Sequence, residues 1–296
     1  MASPSRPVEG ILWMVAAGLS FIGVTAIVKH AAQDLPAPEA AFLRYALGLV
    51  FLLPLAPTLL ALRMTRREAA LFAGRGAVHT LAVMLWFFAM TRIPLAEVTA
   101  MNYLSPVYVT LGAAVFLGER LSLPRLLAVL VALAGAAIIL RPGFREVDPG
   151  HVAMLGVGAL FGVSYLMAKP LSDRNPASVV VTLLSVGVTI GLAPFAAAVW
   201  VTPTAADLLW MLLVAGFATA GHYAMTRAFA AAPVSLMQPV TFLQMVWAVL
   251  LGWAVFDEPP DLLVILGAGI IILSVSFIAW REARRRRTSV AAVSEG

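Results

Sequence analysis

The chain of 296 residues contains no cysteine, and this absence excludes disulfide bonds, thiolate metal sites and cysteine nucleophiles. Charge is also scarce, since Asp, Glu, Lys and Arg together make up 12% of the residues. Soluble domains contain about twice that share of charged residues. A soluble fold could not bury the apolar surface of a chain in which 61% of the residues are hydrophobic. The composition therefore predicts a protein whose solvent is largely lipid.

The hydrophobic residues fall into long runs that short charged or proline-containing linkers separate. Each run has roughly 18–25 residues, the length that a helix needs to cross about 30 Å of hydrocarbon. No linker is long enough for a soluble domain, and the basic residues lie at the ends of the runs rather than on a face that would bind nucleic acid. We therefore expect an all-α membrane protein with ten transmembrane helices, at roughly residues 10–29, 38–60, 70–90, 95–117, 123–141, 150–169, 177–200, 206–226, 234–256 and 262–280.

Lysine and arginine are distributed unevenly between the two sides of this arrangement. Most of them share a side with both termini, and only Lys29, Arg92, Arg141 and Arg145 fall on the other side. Because basic loops stay in the cytoplasm, we expect a multi-pass protein of the inner (plasma) membrane with both termini cytoplasmic. The arginine run at 284–287 should then lie against anionic lipid headgroups.

The two halves of the chain match each other when the sequence is shifted along itself. An offset of 140 aligns Gly10 with Gly150, Gly18 with Gly158, Phe21 with Phe161, Lys29 with Lys169 and Pro36 with Pro176. An offset of 139 then aligns Pro94 with Pro233, Leu104 with Leu243 and Glu119 with Glu258. Each half has five spans, an odd number, so the second half enters the membrane from the opposite side. We expect two inverted five-helix repeats at residues 8–143 and 148–281, followed by a basic cytoplasmic tail at 282–296.

Several short motifs add a family resemblance to this architecture. They are Phe42-Leu43-Arg44-Tyr45 in span two, Pro94-Leu95-Ala96 and Leu117-Gly118-Glu119-Arg120-Leu121 at the two ends of span four, Arg141-Pro142-Gly143 after span five, and Phe256-Asp257-Glu258-Pro259 after span nine. Together they resemble the EamA-type branch of the drug/metabolite transporter superfamily, from about residue 8 to 280. That resemblance implies two inverted five-helix halves around a central cavity, lined by the first, third and fourth helices of each half.

The resemblance and the inverted repeat favour a secondary transporter, an exporter or facilitator of a small metabolite such as an amino acid or a related compound. No phosphate-binding loop is present, the four histidines show no metal spacing, and we expect neither a cofactor nor an enzyme. Two alternatives stay open: an intramembrane enzyme, for which Gly162-Val163-Ser164-Tyr165 is the best feature, and a channel or receptor. A monomer is sufficient for this architecture.

Two charged residues are candidates for chemistry within the membrane. Arg44 lies inside span two, where a charge is costly, so it either binds an anionic substrate group or has a structural role, in which it extends outward to the membrane surface or pairs with Glu39 or Glu97. Glu97 begins span four and is a candidate for ion coupling, although an acidic residue at a helix start also complements the helix dipole.

Uncharged polar residues in the third and fourth helices of each half complete the predicted substrate site. Polar side chains are costly against lipid and should face inward. Pro106 lacks an N–H and should free the carbonyl of Asn102, which is tolerated where a helix lines a cavity. The predicted substrate-binding residues, beside Arg44, are His79, Asn102, Tyr103, Ser105, His222, Tyr223 and Gln244, and the offset of 139 relates Ser105 to Gln244. Trp86, Tyr165 and Trp247 are candidates for aromatic walls.

Overall fold

The computed structural model describes residues 6–60, 62–117, 122–172, 174–231 and 240–294, and within them the chain is helical. The helices are α1 (Pro7–Ala31), α2 (Ala37–Gly48), α3 (Ala56–Leu60), α4 (Arg66–Met90), α5 (Leu95–Asn102), α6 (Ser105–Leu117), α7 (Leu123–Leu140), α8 (Pro149–Ser172), α9 (Ala177–Ala198), α10 (Ala205–Ala231), α11 (Leu243–Phe256) and α12 (Leu262–Ser294). A 3₁₀ segment, Leu49–Leu55, joins α2 to α3 into one span. Of the expected tail at 282–296, the described residues 282–294 continue α12.

The helix starts follow from local chemistry. Pro36, Pro94 and Pro176 are the residues immediately before α2, α5 and α9, where a fixed φ prepares the first turn. Before α4, the Thr65 hydroxyl accepts the Glu68 N–H at 3.2 Å, and the Glu68 carboxylate accepts the Thr65 N–H at 3.0 Å. This capping box starts α4 at Arg66, four residues before the predicted start at 70, and so extends the span toward the terminal side.

Eight helical segments are long and apolar enough to cross a membrane, and they cover eight of the ten predicted spans. The other two spans are interrupted. Span four is divided into α5 and α6 by a turn at 103–104, and span nine, described from residue 240, has a turn at Phe242 before α11. The described segments are helices without a β-strand, and eight of them are candidate spans, which confirms the predicted all-α membrane fold.

The two halves pack with a two-fold pseudo-symmetry. The first helix of each half contacts the third helix of the other half, as α1 with α10 and α8 with α4. The second helices α2 and α9 contact each other, and so do the fifth helices α7 and α12. At the centre, Tyr103 contacts its repeat counterpart Phe242, with ring centroids 5.5 Å apart and planes at 82°. This pairing is the one that an inverted repeat produces.

Glycines let the helices approach closely inside the bundle. A Cβ atom at Gly158 or Gly162 would lie 2.7 or 2.9 Å from atoms of Tyr108, so α8 packs tightly on α6. A Cβ atom at Gly135 would lie 2.8 Å from the Gly267 carbonyl oxygen, so α7 and α12 meet backbone to backbone. These glycines serve contacts within one chain.

The two ends of the bundle differ in how the halves are joined. We call the end with Arg6, Thr65 and Asn175 the terminal face, and the end with Ala32, Ile93 and Asp257 the opposite face. At the opposite face, Lys29 Nζ lies 2.7 Å from a carboxylate oxygen of Glu258 and donates to the Ile93 carbonyl at 2.8 Å. The other Glu258 oxygen accepts the Leu95 N–H at 2.8 Å. One ion pair thus joins α1 and α5 of the first half to the end of α11.

Three further links join the halves at the opposite face. Glu97 accepts two hydrogen bonds from Arg145, at 3.0 and 2.9 Å, and another from His151 at the start of α8. Arg141 pairs with Asp261, which also accepts the Leu263 N–H at 2.9 Å. Glu39 accepts the Val201 N–H at 2.8 Å.

These contacts shift the pKa of two groups outside the spans. The Glu97 carboxylate raises the pKa of Arg145 by accepting its hydrogen bonds. Partial burial raises the pKa of Asp261, but the hydrogen bonds from Arg141 and from the first amides of α12 outweigh it and hold that pKa below its ordinary range. Both shifts favour the charged forms that hold the opposite face together.

Candidate functional site

A cavity of about 500 Å³ lies between the two halves. Its described lining comes from α1, α2, α4 and α5 of the first half, from α8 to α11 of the second, and from Leu52 in the 3₁₀ segment. Neither fifth helix, α7 or α12, contributes a lining residue in the part of the chain that the structure describes. The volume lies within the range of about 300–1,000 Å³ that small-molecule sites occupy.

Aromatic rings form one wall of this cavity. Phe161 on α8 is the centre of the group: its ring lies 6.0 Å from Tyr165, 6.3 Å from Trp86 and 4.9 Å from His79, measured between centroids. Phe21, Tyr45 and Tyr103 also line the cavity. The helical spacing of Phe161 and Tyr165, four residues apart, places both rings on one face of α8. Such a wall binds a flat, apolar ring by stacking or edge contacts.

His79 lies on α4 and is held by a partner from the other half. Its Nδ1 is 3.0 Å from the Oγ of Ser164, which leaves Nε2 for the cavity. Ser164 was the best feature of an intramembrane enzyme, and here it does pair with a histidine. Its side chain is fully buried, however, and no described carboxylate contacts His79, so the pair lacks both substrate access and an orienting acid.

The interrupted helix α5–α6 presents polar groups at the centre. Because Pro106 has no N–H, the Asn102 carbonyl has no helical donor, and the backbone turns at 103–104 before α6 begins. Asn102 is exposed to the cavity. The Tyr103 hydroxyl donates to the Thr241 carbonyl at 3.2 Å, across the interface between the halves. Broken helices with polar groups at mid-membrane are typical of transporter substrate sites.

The second half contributes His222 and Gln244. His222 Nδ1–H donates to the Ala218 carbonyl one turn earlier, at 2.7 Å, and the ring contacts Phe21 edge-on. A proton on Nδ1 leaves Nε2 as an acceptor toward the cavity when the ring is neutral. Gln244 lies 3.5 Å from the Gly18 carbonyl, a long contact that leaves its amide available to a ligand.

Two arginines line the cavity. The Arg44 guanidinium lies 3.9 Å from the centroid of the Tyr45 ring and pairs with neither Glu39 nor Glu97, whose partners are at the opposite face. Arg75, on α4, is only 6% exposed. Its Nη1 lies 3.5 Å from the Val180 carbonyl, and its Nε has no hydrogen-bond partner.

The structure brings together six of the predicted residues: Arg44, His79, Asn102, Tyr103, His222 and Gln244 all line the cavity. It places the others elsewhere. Ser105 follows the turn at 103–104 and is buried outside the lining, with its Oγ unpaired. Tyr223 is one residue beyond His222, so the helix turns it outward, where it is 56% exposed and contacts Trp13 and Arg227.

Two further predicted positions also lie outside the cavity. Glu97 is buried in its cluster with Arg145 and His151 at the opposite face, so its carboxylate already has partners. Trp247 packs against Ile22 and Leu95 instead of forming a cavity wall, whereas Trp86 and Tyr165 do line the cavity.

The sequence analysis did not include Arg75 among the site residues, because it counted this arginine with the basic residues at the terminal side of the span at 70–90. The capping box at Thr65 and Glu68 was the signal that would have found it, because it moves the start of α4 back and brings Arg75 about 14 Å into the helix at 1.5 Å per residue. The rings of Phe21, Tyr45 and Phe161 carried no signal of their own in so apolar a sequence.

Comparison with known proteins agrees with this geometry. The model of the EamA-like transporter family matches residues 8–141 and 148–280. The chain is 32% identical over 295 residues to a riboflavin transporter of Vibrio cholerae serotype O1, covering 97% of this chain and 98% of that one. It is 33% identical over 289 residues to a riboflavin transporter of Rhizobium johnstonii, covering 96% and 95%. It is 29% identical over 269 residues to a pseudopaline exporter of Pseudomonas aeruginosa, covering 90% and 94%.

A solved crystal structure has the same fold at low sequence identity. It is 17% identical, with a TM-score of 0.61, over 93% of this chain and 99% of that chain. Two inverted halves around a mid-membrane cavity define a membrane transporter. The chain belongs to the EamA-like transporter family. It is accordingly a small-metabolite transporter and not an enzyme.

Proposed function

We propose that the protein transports a planar heteroaromatic metabolite of the flavin class, riboflavin or a close derivative. The observation that carries this proposal is the aromatic wall around Phe161, in the same cavity as polar groups that include Asn102 and His222. A flavin combines a flat tricyclic ring with a polyhydroxyl chain, so it needs both surfaces in one cavity. The two relatives named riboflavin transporters match nearly the whole chain.

The direct test is transport of labelled riboflavin. The purified protein would be reconstituted in vesicles, and uptake followed against vesicles without protein and against unlabelled riboflavin as a competitor. Saturable, competed uptake is the expected result. Uptake no faster than in empty vesicles, for riboflavin and its close derivatives alike, would reject the flavin class.

A matched pair of phenylalanine variants connects the transport to the cavity. Phe161→Leu removes the ring at the centre of the aromatic wall, and Phe277→Leu removes a ring on α12, which has no part in the lining. Stacking of a flat base on an aromatic side chain contributes about 1–3 kcal/mol. Phe161→Leu should therefore weaken binding by about fivefold or more, and Phe277→Leu should leave binding unchanged.

The roles of the cavity residues follow from the same proposal. His79, Asn102, His222 and Gln244 donate to or accept from the polar groups of the substrate, Tyr103 holds the broken helix to the other half, and Arg44 meets an acceptor group. Glu97 as an ion-coupling residue stays a prediction, as do the repeat boundaries at 143 and 148 and the monomeric state.

We infer that the protein lies in the inner membrane with both termini cytoplasmic, so the terminal face is the cytoplasmic one. The support is the charge distribution, which leaves only Lys29, Arg92, Arg141 and Arg145 for the opposite side. The arginines at 284–287 would then meet anionic headgroups of the cytoplasmic leaflet. Single cysteines at Phe144 and Asn175, in an otherwise cysteine-free chain, should react with an impermeant maleimide from opposite sides. Reaction from the same side would contradict this orientation.

A further inference from the structure

The cavity contains two cationic side chains, and none of its described lining residues is acidic. The two carboxylates that the sequence analysis named as possible partners of Arg44, those of Glu39 and Glu97, bind partners at the opposite face. The charge of Arg44 and Arg75 is therefore not balanced within the described part of the cavity. An unbalanced charge at mid-membrane is costly, so such residues are expected to have a functional counter-ion.

The contacts of Arg75 leave hydrogen-bonding capacity unused. A guanidinium has five N–H donors. Arg75 is only 6% exposed. Its Nη1 contact with the Val180 carbonyl is long, at 3.5 Å, and its buried Nε has no hydrogen-bond partner. A buried donor without an acceptor costs more than a solvated one. This arrangement is satisfied when a ligand supplies acceptor oxygens.

The position of Arg75 places it beside the aromatic wall. Arg75, His79, Val83 and Trp86 all line the cavity at spacings of four, four and three residues, so they form one stripe along α4. Arg44 enters the same cavity from α2, which packs against α4. A flat ring at Trp86 and Phe161 therefore has cationic donors within the same chamber.

We propose that Arg44 and Arg75 form an anion subsite, and that the transported aromatic molecule carries a carboxylate or phosphate group. This inference rests on the proposed function, because it takes the cavity as the transport site, and it narrows the substrate to the anionic members of a planar aromatic class. A planar guanidinium binds either anion through paired hydrogen bonds. The same charge excludes cationic aromatic molecules.

The test compares ligands that share a ring and differ in charge. Riboflavin is paired with riboflavin 5′-phosphate, and indole-3-ethanol is paired with indole-3-acetate; binding is measured on the purified protein in detergent. The anionic member of at least one pair should bind about tenfold more tightly or better. A preference in the flavin pair identifies a phosphate group, and a preference in the indole pair identifies a carboxylate.

Variants then assign the preference to the two arginines. In Arg75→Gln and in Arg44→Gln, the ratio of the affinity for the anionic ligand to that for its neutral partner should fall to about one. The control is Arg92→Gln, which changes an exposed arginine at the opposite face and should leave this ratio unchanged. Arg75→Lys keeps the charge without the planar fork and should give an intermediate ratio. A ratio unchanged in both glutamine variants would overturn the assignment.

The ligand pairs also decide the case without any variant. If the unmodified protein binds the neutral member of each pair as well as the anion, or binds none of the four ligands, the anion subsite is rejected even where a variant does not fold. If both flavins fail to bind while indole-3-acetate is preferred over indole-3-ethanol, the flavin class is wrong and the anion subsite stands.

Discussion

The ion pair between Lys29 and Glu258 makes the closure of the opposite face testable by one substitution. The two side chains are only 14% and 15% exposed, and Glu258 also accepts the Leu95 N–H. Because these contacts join the first half to the second, any conformation that opens the cavity toward the opposite face has to break them. Weakening the pair should therefore favour the conformation that is open there.

The size of the shift can be worked from the contacts. Glu258→Gln keeps the side-chain length and an oxygen for the Leu95 amide, and it removes the charge that faces Lys29. A hydrogen bond to a charged group contributes about 1.5–3 kcal/mol. If Glu258→Gln loses that amount, the ratio of open to closed conformations rises about ten- to a hundredfold, at about 1.4 kcal/mol per factor of ten.

Cysteine labelling measures this ratio, since the natural chain has no cysteine. Thr25→Cys places a thiol in the cavity lining, and an impermeant maleimide is added from the side of the opposite face. The labelling rate should rise by the factor above in Glu258→Gln. Asp148→Asn is the control at the same face, because its 3.4 Å contact with Arg92 is solvent-exposed and contributes little. An unchanged rate in Glu258→Gln, or an equal rise in the control, would refute the reasoning.

Three other outcomes follow from the structure. Arg44→Lys should reduce substrate affinity about tenfold while protein abundance stays near normal, because a point charge cannot replace a planar fork; a parallel fall in abundance would indicate a structural role. Gln244→Leu should weaken substrate binding with little change in thermal stability, whereas Ser105→Ala, outside the lining and without a partner, should change neither; equal affinity losses in binding assays would contradict this contrast. Asp261→Asn keeps a cap for α12 and removes the charge that Arg141 meets. Because the Asp261 side chain is 36% exposed, this variant should lower the free energy of unfolding by at most about 1 kcal/mol at neutral pH. Because the folded state holds the pKa of Asp261 below its ordinary value of about 3.9, this contribution is present above that pH and should disappear as the pH falls below it; a stability gap that persists at low pH would exclude the charge as its source.

Most of the architecture could be predicted from the sequence because it depends on quantities that a sequence carries directly. Apolar run length gives the spans, and the aligned prolines and glycines give the repeat. Span four shows how local chemistry adds to this, since Pro106 predicted a freed Asn102 carbonyl and the helix indeed breaks next to that residue. This break could be predicted because it depends only on the backbone chemistry of one short segment.

The site could be predicted only in part, because it depends on helix rotation. His222 and Tyr223 are neighbours in sequence, yet a rotation of about 100° per residue turns one into the cavity and the other outward. Ser105 and Gln244 are equivalent in the repeat, but only Gln244 lines the cavity, since the halves are not identical around them. Arg75 lies inside the predicted span at 70–90, but its depth in the helix depended on one capping box that moved the helix start by about a turn.

The contact between Tyr103 and Phe242 has a consequence for the symmetry of the molecule. These two residues occupy equivalent positions, so the pseudo-two-fold axis passes between them. In a dimer of identical chains, a residue on the axis meets its own copy, and the centre has to be the same from both directions. A fused chain is free of this constraint. Here only one of the two rings carries a hydroxyl, and it donates to the Thr241 carbonyl without a reciprocal bond. Because the halves are fused, the centre of the cavity is asymmetric. A ligand there meets different chemistry in each of its two orientations.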